Sequence, residues 1–421
     1  MHVLPLSKGA VAFFALSALV YQCTWVISNT YFPILLESLH ATPTQVGLLL
    51  ALGPAMIPLQ LLSGFYSDRV QRRFNTRTPF LLTGALVAVI ALAAMPFSPS
   101  LWIAGVAIAG AWVGVNIFQS SNTALLSERV PDTQRHKVTG SMALVRSVTI
   151  MLFYLLVPLL VAVGLQVPFL LAALLAAVGS LAAYFGFVRR TRPRLRTQTS
   201  PGPGYFHYLL RPPARAFFPA MMCCHFSLQL ISSFFFLFTI HEVLGVERFT
   251  GMESAPAAQP AFYTLAIASI TAVLVTPAVV RLISRFGPGV VLALGLSAPL
   301  GGMLLGWFVT SIEGAYLLSL FFGVGLSIVM VIPFSLLARL HPPGLGGTFS
   351  GIYYLSIAVG QIAASASIGF TIDYFDSYRV IFPVGAVMLG AAILLYGLFF
   401  KLDAVANESE AASAVTVGAT G

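Results

Sequence analysis

Long apolar runs recur along the chain, each ended by a short cluster of proline, glycine and charged residues. Many of the runs reach the roughly 20 residues that a helix needs to cross a bilayer. Breaking the chain at those clusters predicts twelve helices. Six fall near 9–38, 44–66, 79–96, 100–126, 138–163 and 167–188; six more fall near 216–241, 259–284, 289–310, 313–338, 346–372 and 379–400. The first run is too long for the core of a signal peptide and is expected to be retained. The predicted fold class is therefore an all-α integral membrane protein.

Composition agrees. Only 8% of the 421 residues are charged, too few to cover a soluble protein of this size. All three cysteines, Cys23, Cys223 and Cys224, lie in apolar runs, and no His/Cys/Asp/Glu spacing suggests a metal, so neither a disulfide nor a metal site is expected. The segment "GLGG" at 344–347 lacks the Lys-Ser or Lys-Thr of a phosphate loop. With no catalytic constellation either, an enzyme is a poor reading and no cofactor is implied.

The net charge of +9 raises the question of nucleic-acid binding, and the placement of the charge answers it. Of the 22 Lys and Arg, 19 fall at the N-terminus, in the even-to-odd connections or after the last run, which is the positive-inside pattern. Both termini are expected in the cytoplasm, in a multi-pass protein of the cell (plasma or inner) membrane. A basic, Pro- and Gly-rich connection, 189–215, separates two six-helix bundles, 1–188 and 216–401; the small, polar tail 402–421 is expected to be disordered. The halves echo each other at an offset of 211 to 212 residues: "RRFNTRTPFLLTG" against "SRFGPGVVLALG", and "ALLSERVPDTQRHKVTG" against "SLLARLHPPGLGGTFSG". A repeat of six and six is the architecture of major facilitator transporters.

The stretch "GFYSDRVQRRFNTRTPF" at 64–80 resembles the major facilitator signature G-x-x-x-D-R-x-x-R-R. Together with "NTALLSERVPDTQR" at 122–135, and "IPFSLLARL" followed by "GTFSGIYYLSIAVGQ", it is similar to the sucrose-transporter and glycoside–pentoside–hexuronide branch. The resemblance implies that Gly64, Asp68, Arg69, Arg72 and Arg73 form a gate that latches the cytoplasmic ends of the halves in the outward-facing state. A carboxylate at that position can pair with arginines or cap a helix, and Gly64, on the same face, would permit close helix approach. Topology alone accounts for Arg72, Arg73 and Arg77.

In the resembled fold the first, fourth, seventh and tenth spans surround the substrate path. Polar residues here share single faces: Gln22, Trp25 and Asn29 on the first; Asn116, Gln119 and Thr123 on the fourth, with Ser120 and Asn122 beside them and Trp112 one turn above; His225, Gln229 and Ser232 on the seventh; Gln361 is added from the eleventh. Amides are costly in lipid unless they pair internally or face water, so cavity lining and helix–helix bonding are both open to them. Arg146, nine residues beyond Lys137, lies deep, where a charge is by default functional; binding an anionic group or a structural role both fit it. The acids all lie at span ends, in loops or in the tail. Trp112 stands where the plant-type sucrose carriers have an aspartate. Coupling to a proton or sodium ion would then fall to Glu37, His225 or Asp373.

The expected function is secondary transport of a small solute by alternating access: a sugar, glycoside or other neutral polar molecule, carried by a monomer in the lipid bilayer. Two alternatives stand beside it, an exporter of hydrophobic drugs or metabolites, favoured by "FFFLF" at 234–238, and a non-transporting assembly factor on the same fold.

Overall fold

The computed structural model describes residues 8–74, 76–130, 132–189, 210–247, 255–340 and 346–418, and every long element in them is helical. Among the described residues, eleven helices are long and apolar enough to cross a membrane. They are α1 (Gly9–Ser38), α2 (Pro43–Gln71), α3 (Thr78–Phe97), α4 (Leu101–Leu126), α5 (Lys137–Leu156), α6 (Gln166–Gly186), α7 (Pro212–Val243), α8 (Ala257–Gly306), α9 (Ile312–Pro333), α10 (Ile352–Phe375) and α11 (Tyr378–Ala406). Unbroken, α8 would be about 75 Å long, far more than a bilayer core of about 30 Å. It turns at Gly287, whose φ of 79° and ψ of 159° are non-helical, where the hydrophobic pattern separates its eighth and ninth runs.

α1 packs on α5 and α6, α2 on α4, and α3 on α4 and α6; α7 packs on α10 and α11, and α8 on α9 and α11. Contacts between the two groups run mainly through α2 with α10, α5 with α8, and the middles of α1 and α7. Alternate connections of such a bundle lie at opposite ends. One end, here the hairpin face, carries the turns at 39–42 and 376–377. The other, the terminal face, carries Lys8 and the turn at 76–77.

Local chemistry shapes the hairpin face. His40, at φ 62°, reverses the chain after α1. Thr42 then caps α2 in a reciprocal box with Gln45, and Pro43 occupies the first turn. Asp376, at φ 49°, makes the equivalent reversal between α10 and α11. Behind these turns α2 and α10 touch backbone to backbone. A Cβ on Gly47 would lie 2.2 Å from the Ser365 carbonyl oxygen, and one on Gly369 would lie 2.3 Å from that of Pro43. Apolar burial does not drive helices together in lipid, so this close approach is what holds the two groups at this face.

Two expectations change. The last helix runs on to Gly418, so most of 402–421 is helical where disorder is expected; its alanines and glutamates are strong helix formers. The aromatic run at 234–238 is core: Phe234, Phe235, Phe236 and Phe238 are buried, packed on Phe262, Phe322 and Phe382. The basic connection 189–215 lies largely outside the described residues.

Candidate functional site

Near mid-membrane α1 and α7 each open into a π-helical turn, Ile27–Tyr31 and Leu230–Phe234. Such turns re-aim the side chains they carry and recur at functional sites. Here they bring the two groups together. Asn29 Oδ1 accepts hydrogen bonds from Ser233 Oγ at 2.9 Å and Gln229 Nε2 at 3.2 Å, while Asn29 Nδ2 donates to the Trp25 carbonyl at 2.9 Å. Asn29 and Gln229, both predicted on cavity faces, are thus engaged with each other. Gln22 is buried and Trp25 half-buried on the same helix.

On α4, Trp112 Nε1 donates to Ser28 Oγ at 2.8 Å, and its indole meets the Tyr21 ring edge-on at 5.9 Å. Asn116 is buried and donates to the Trp112 carbonyl at 2.8 Å; Asn122 donates to Ser17 Oγ at 3.2 Å, tying α4 to α1. Arg146 of α5 also reaches Tyr21: its Cζ is 5.4 Å from the ring centre, a cation–π contact. Tyr354 of α10 is within electrostatic reach of the same ring. Tyr21 is therefore the hub where α1, α4, α5 and α10 converge.

Four polar atoms on α4, α5 and α7 remain buried without a hydrogen-bond partner: Gln119 Oε1, Asn122 Oδ1, Arg146 Nε and His225 Nε2. An unsatisfied buried polar group costs about 1–3 kcal/mol, and more where charge is involved. The ion pairs among the described residues are Asp68–Arg77, Glu37–His241 and Glu242–Arg379, so no described carboxylate neutralises Arg146. Arg146, in cation–π contact with Tyr21, carries a positive charge that no described carboxylate neutralises, and Gln119 and His225 each hold a polar atom without a partner. Gln361, on α10, is half-buried and takes no part in these bonds.

At the hairpin face the predicted coupling carboxylates are both engaged between the groups. Glu37 Oε1 lies 2.8 Å from His241 Nε2, and Asp373 Oδ2 accepts from the Thr44 N–H at 2.8 Å, on the N-terminal turn of α2. Glu242 stays within one group, accepting from Ser377 Oγ at 2.6 Å, the Tyr378 N–H at 2.9 Å and Arg379 Nε at 3.2 Å.

At the terminal face the signature motif is arranged differently from its expected latch. Asp68 pairs with Arg77 at 2.5 Å, and Arg77 also donates to Ser67 Oγ at 3.0 Å. Arg77, attributed above to topology alone, is 4% exposed and is a structural partner. Arg69 and Arg73 are exposed; with Tyr66, Val70, Phe74 and Phe80 they line a surface cavity of about 270 Å³, and Arg73 lies 5.3 Å from the Phe74 ring. The side chain of Arg72 lies outside the described residues. Gly64 makes no close helix contact here: a Cβ would sit 3.9 Å from Ser120 Cβ, an ordinary separation.

Sequence reasoning passed over Tyr21, Ser233, Arg77 and His241. Tyr21 and Ser233 sit one residue outside the polar stripes that were read. His241 adjoins Glu242 at the end of an apolar run, the one His–Glu doublet in the chain.

A family model for the Major Facilitator Superfamily matches residues 14–365. No curated protein matches the chain in sequence. Solved structures share its fold at low identity. A nucleoside transporter, NupG, aligns with a TM-score of 0.68 at 12% identity, covering 93% of this chain and 98% of that one. A bacterial homologue of the human lysosomal transporter Spinster, in an inward-facing and unoccupied conformation, gives 0.70 at 12% identity, covering 94% and 98%. A POT family transporter in complex with 5-aminolevulinic acid gives 0.71 at 13% identity, covering 93% and 96%. The chain is a multi-pass membrane protein and belongs to the major facilitator superfamily.

Proposed function

We propose that the protein is a secondary transporter that moves a small hydroxylated solute bearing an anionic group by alternating access. Arg146 carries this reading: a cation deep in the bundle, with Nε buried and unpartnered and no described carboxylate beside it. A neutral sugar fits less well than the sequence suggests, because Asn29, Gln229 and Asn116 spend hydrogen bonds on the protein itself. Gln119 and His225 remain to receive hydroxyls, and Trp112 and Tyr21 offer ring faces. The motifs shared with the glycoside–pentoside–hexuronide branch favour the same chemistry. In this reading the two arms of α8 count as separate spans, giving twelve in bundles 1–188 and 216–401, with both termini cytoplasmic by the positive-inside distribution. The hairpin face is then the outer one, closed here.

The exporter reading loses its main support, since the phenylalanines of 234–238 are packed in the core. Thermal stability of the purified protein in detergent tests the proposal against sugars, sugar acids, nucleosides and cationic amphiphiles. A ligand at a hundred times its Kd adds about 2.7 kcal/mol to the folded state. A sugar acid is expected to stabilise the wild type and to lose that effect in Arg146→Gln. Stabilisation by neutral sugars that persists in Arg146→Gln removes the anionic requirement; stabilisation by amphiphiles alone favours the exporter.

A further inference from the structure

His241 is held between two oxygens. Its Nδ1 lies 2.7 Å from the Val246 carbonyl oxygen and its Nε2 lies 2.8 Å from Glu37 Oε1; its ring stacks on Tyr378 at 4.9 Å between centroids. A carbonyl oxygen only accepts, so Nδ1 must carry a hydrogen. A neutral ring then has a bare lone pair at Nε2, directed at the Glu37 oxygen. If Glu37 is a carboxylate, two acceptors face each other at hydrogen-bond distance, which is repulsive. The contact at this distance holds one more proton, either on Nε2 as an imidazolium or on Glu37 as the acid. Glu37 is 8% exposed, and its other oxygen, Oε2, is buried without a partner.

The surroundings favour that proton. Among the described residues, the charged and titratable groups around the pair are Glu242 on the same turn of α7 and Tyr378 on α11, with Asp373 of α10 acting on Tyr378 and Arg379 of α11 paired to Glu242. Without the added proton, Glu37, Glu242 and Asp373 bring three negative charges against the single positive charge of Arg379. Glu37 belongs to α1 and His241 to α7, so the contact joins the two groups that must separate for the hairpin face to open.

We propose that Glu37 and His241 form a proton-binding site that closes the hairpin face only while it holds a proton. The proposal rests on the alternating-access reading and identifies its coupling ion as H⁺. The sign follows from counting protons. Parted in water, histidine titrates near about 6.5 and glutamate near about 4.3. Between those values the parted pair is imidazolium and carboxylate, holding as many protons as the joined pair, so closure is insensitive to pH. Above about 6.5 the parted pair holds one proton fewer, and each further pH unit lowers the closed population relative to the open one by up to about tenfold. Below about 4.3 the parted pair holds one more, and closure weakens again. Opening of this face at neutral or alkaline pH therefore releases one proton on its side of the membrane, and closure takes one up.

The distance between spin labels at Ala41→Cys and Phe375→Cys, in a background with Cys23, Cys223 and Cys224 replaced by alanine, reads the state of this face between pH 5 and 9. The wild-type closed fraction is expected to be flat up to about 6.5 and then to fall, approaching tenfold per unit. Glu37→Gln supplies an amide N–H to the bare Nε2, so the joined pair needs no added proton: the fall above about 6.5 should vanish, and closure should weaken only below it, where parted His241 takes up a proton. His241→Gln should lose the pH dependence, and Asp373→Asn should retain it. A pH-independent wild type, a fall above about 6.5 that survives in Glu37→Gln, or one abolished by Asp373→Asn alone overturns the proposal. A distance that moves with ligand but not with pH removes the proton site and leaves the transport reading; a distance fixed under every ligand and pH removes both.

Discussion

Glu37 and Asp68 sit near opposite ends of the bundle and are used in opposite ways. Glu37 reaches across from α1 to His241 on α7, and Asp373 likewise reaches from α10 to the start of α2. Asp68 turns back on its own group, pairing with Arg77 just before α3. The Glu37–His241 and Asp373–Thr44 contacts of the hairpin face thus exist only while the two groups are together, whereas Glu242–Arg379 stays within one of them. The Asp68–Arg77 pair of the terminal face survives whether the groups meet or not. A signature motif that latches the groups in one state has to have somewhere to put its carboxylate in the other, and Arg77 provides that place. Between the two faces, Gln119, Arg146 and His225 keep polar atoms uncommitted. Contacts between the groups, contacts within one group, and polar atoms without a partner are thus found in different parts of the same bundle.

The strongest way to break this contrast is steric. Gly47→Leu puts a side chain where Ser365 already presents a backbone oxygen 2.2 Å from the Cβ position, and neither backbone can yield without parting α2 from α10. Overpacking of this kind costs the closed form about 3 kcal/mol or more, over a hundredfold in population. The protein should insert normally, stay open at the hairpin face by spin-label distance, and transport nothing. Wild-type transport in Gly47→Leu would mean that closure at this face is dispensable.

Arg77→Ala should behave in the contrary sense, with a smaller effect. It leaves Asp68 without its ion pair and removes the donor that Arg77 gives to Ser67 Oγ, at about 1–3 kcal/mol of folded-state stability. Because both partners lie in one group, the hairpin-face distance should not change. Thermal unfolding and the label distance measured on the same sample separate the two effects. A shifted distance with unchanged stability would make Arg77 part of the gate.

How much of this could be read in the sequence depends on the range of the interaction concerned. The spans follow from hydrophobic run length, and the turn in α8 from the Gly-Pro pair at 287–288. Arg146 emerged from counting residues past Lys137, since rise per residue is fixed in a helix. The π-helical turns left no trace in periodicity, because one extra residue per turn is set by the helices packed alongside. That Asn29 and Gln229 face inwards was legible; that they face each other was not, since a stripe of amides looks the same beside water as beside another amide. Asp68 had four arginines within reach in sequence, and the fold chose the one farthest along the chain, because the turn at 76–77 swings Arg77 back over Ser67 and Asp68. The tail was misread because small polar residues were taken as disorder when alanine and glutamate also make helix.

The finest test concerns the second carboxylate of the hairpin face. Asp373 accepts the Thr44 N–H on the first turn of α2, where the helix dipole is positive. An exposed carboxylate in that position contributes about 0.3–1 kcal/mol, and the amide of Asp373→Asn keeps the hydrogen bond while losing the charge. The closed population should then fall by about two- to fivefold, by the same conversion of energy to population. The fall should shrink in high salt, which screens an exposed charge. It should also leave the pH response of the face intact, because the proton belongs to Glu37 and His241. A loss as large as that of Gly47→Leu would instead place Asp373 among the groups without which the two halves do not meet.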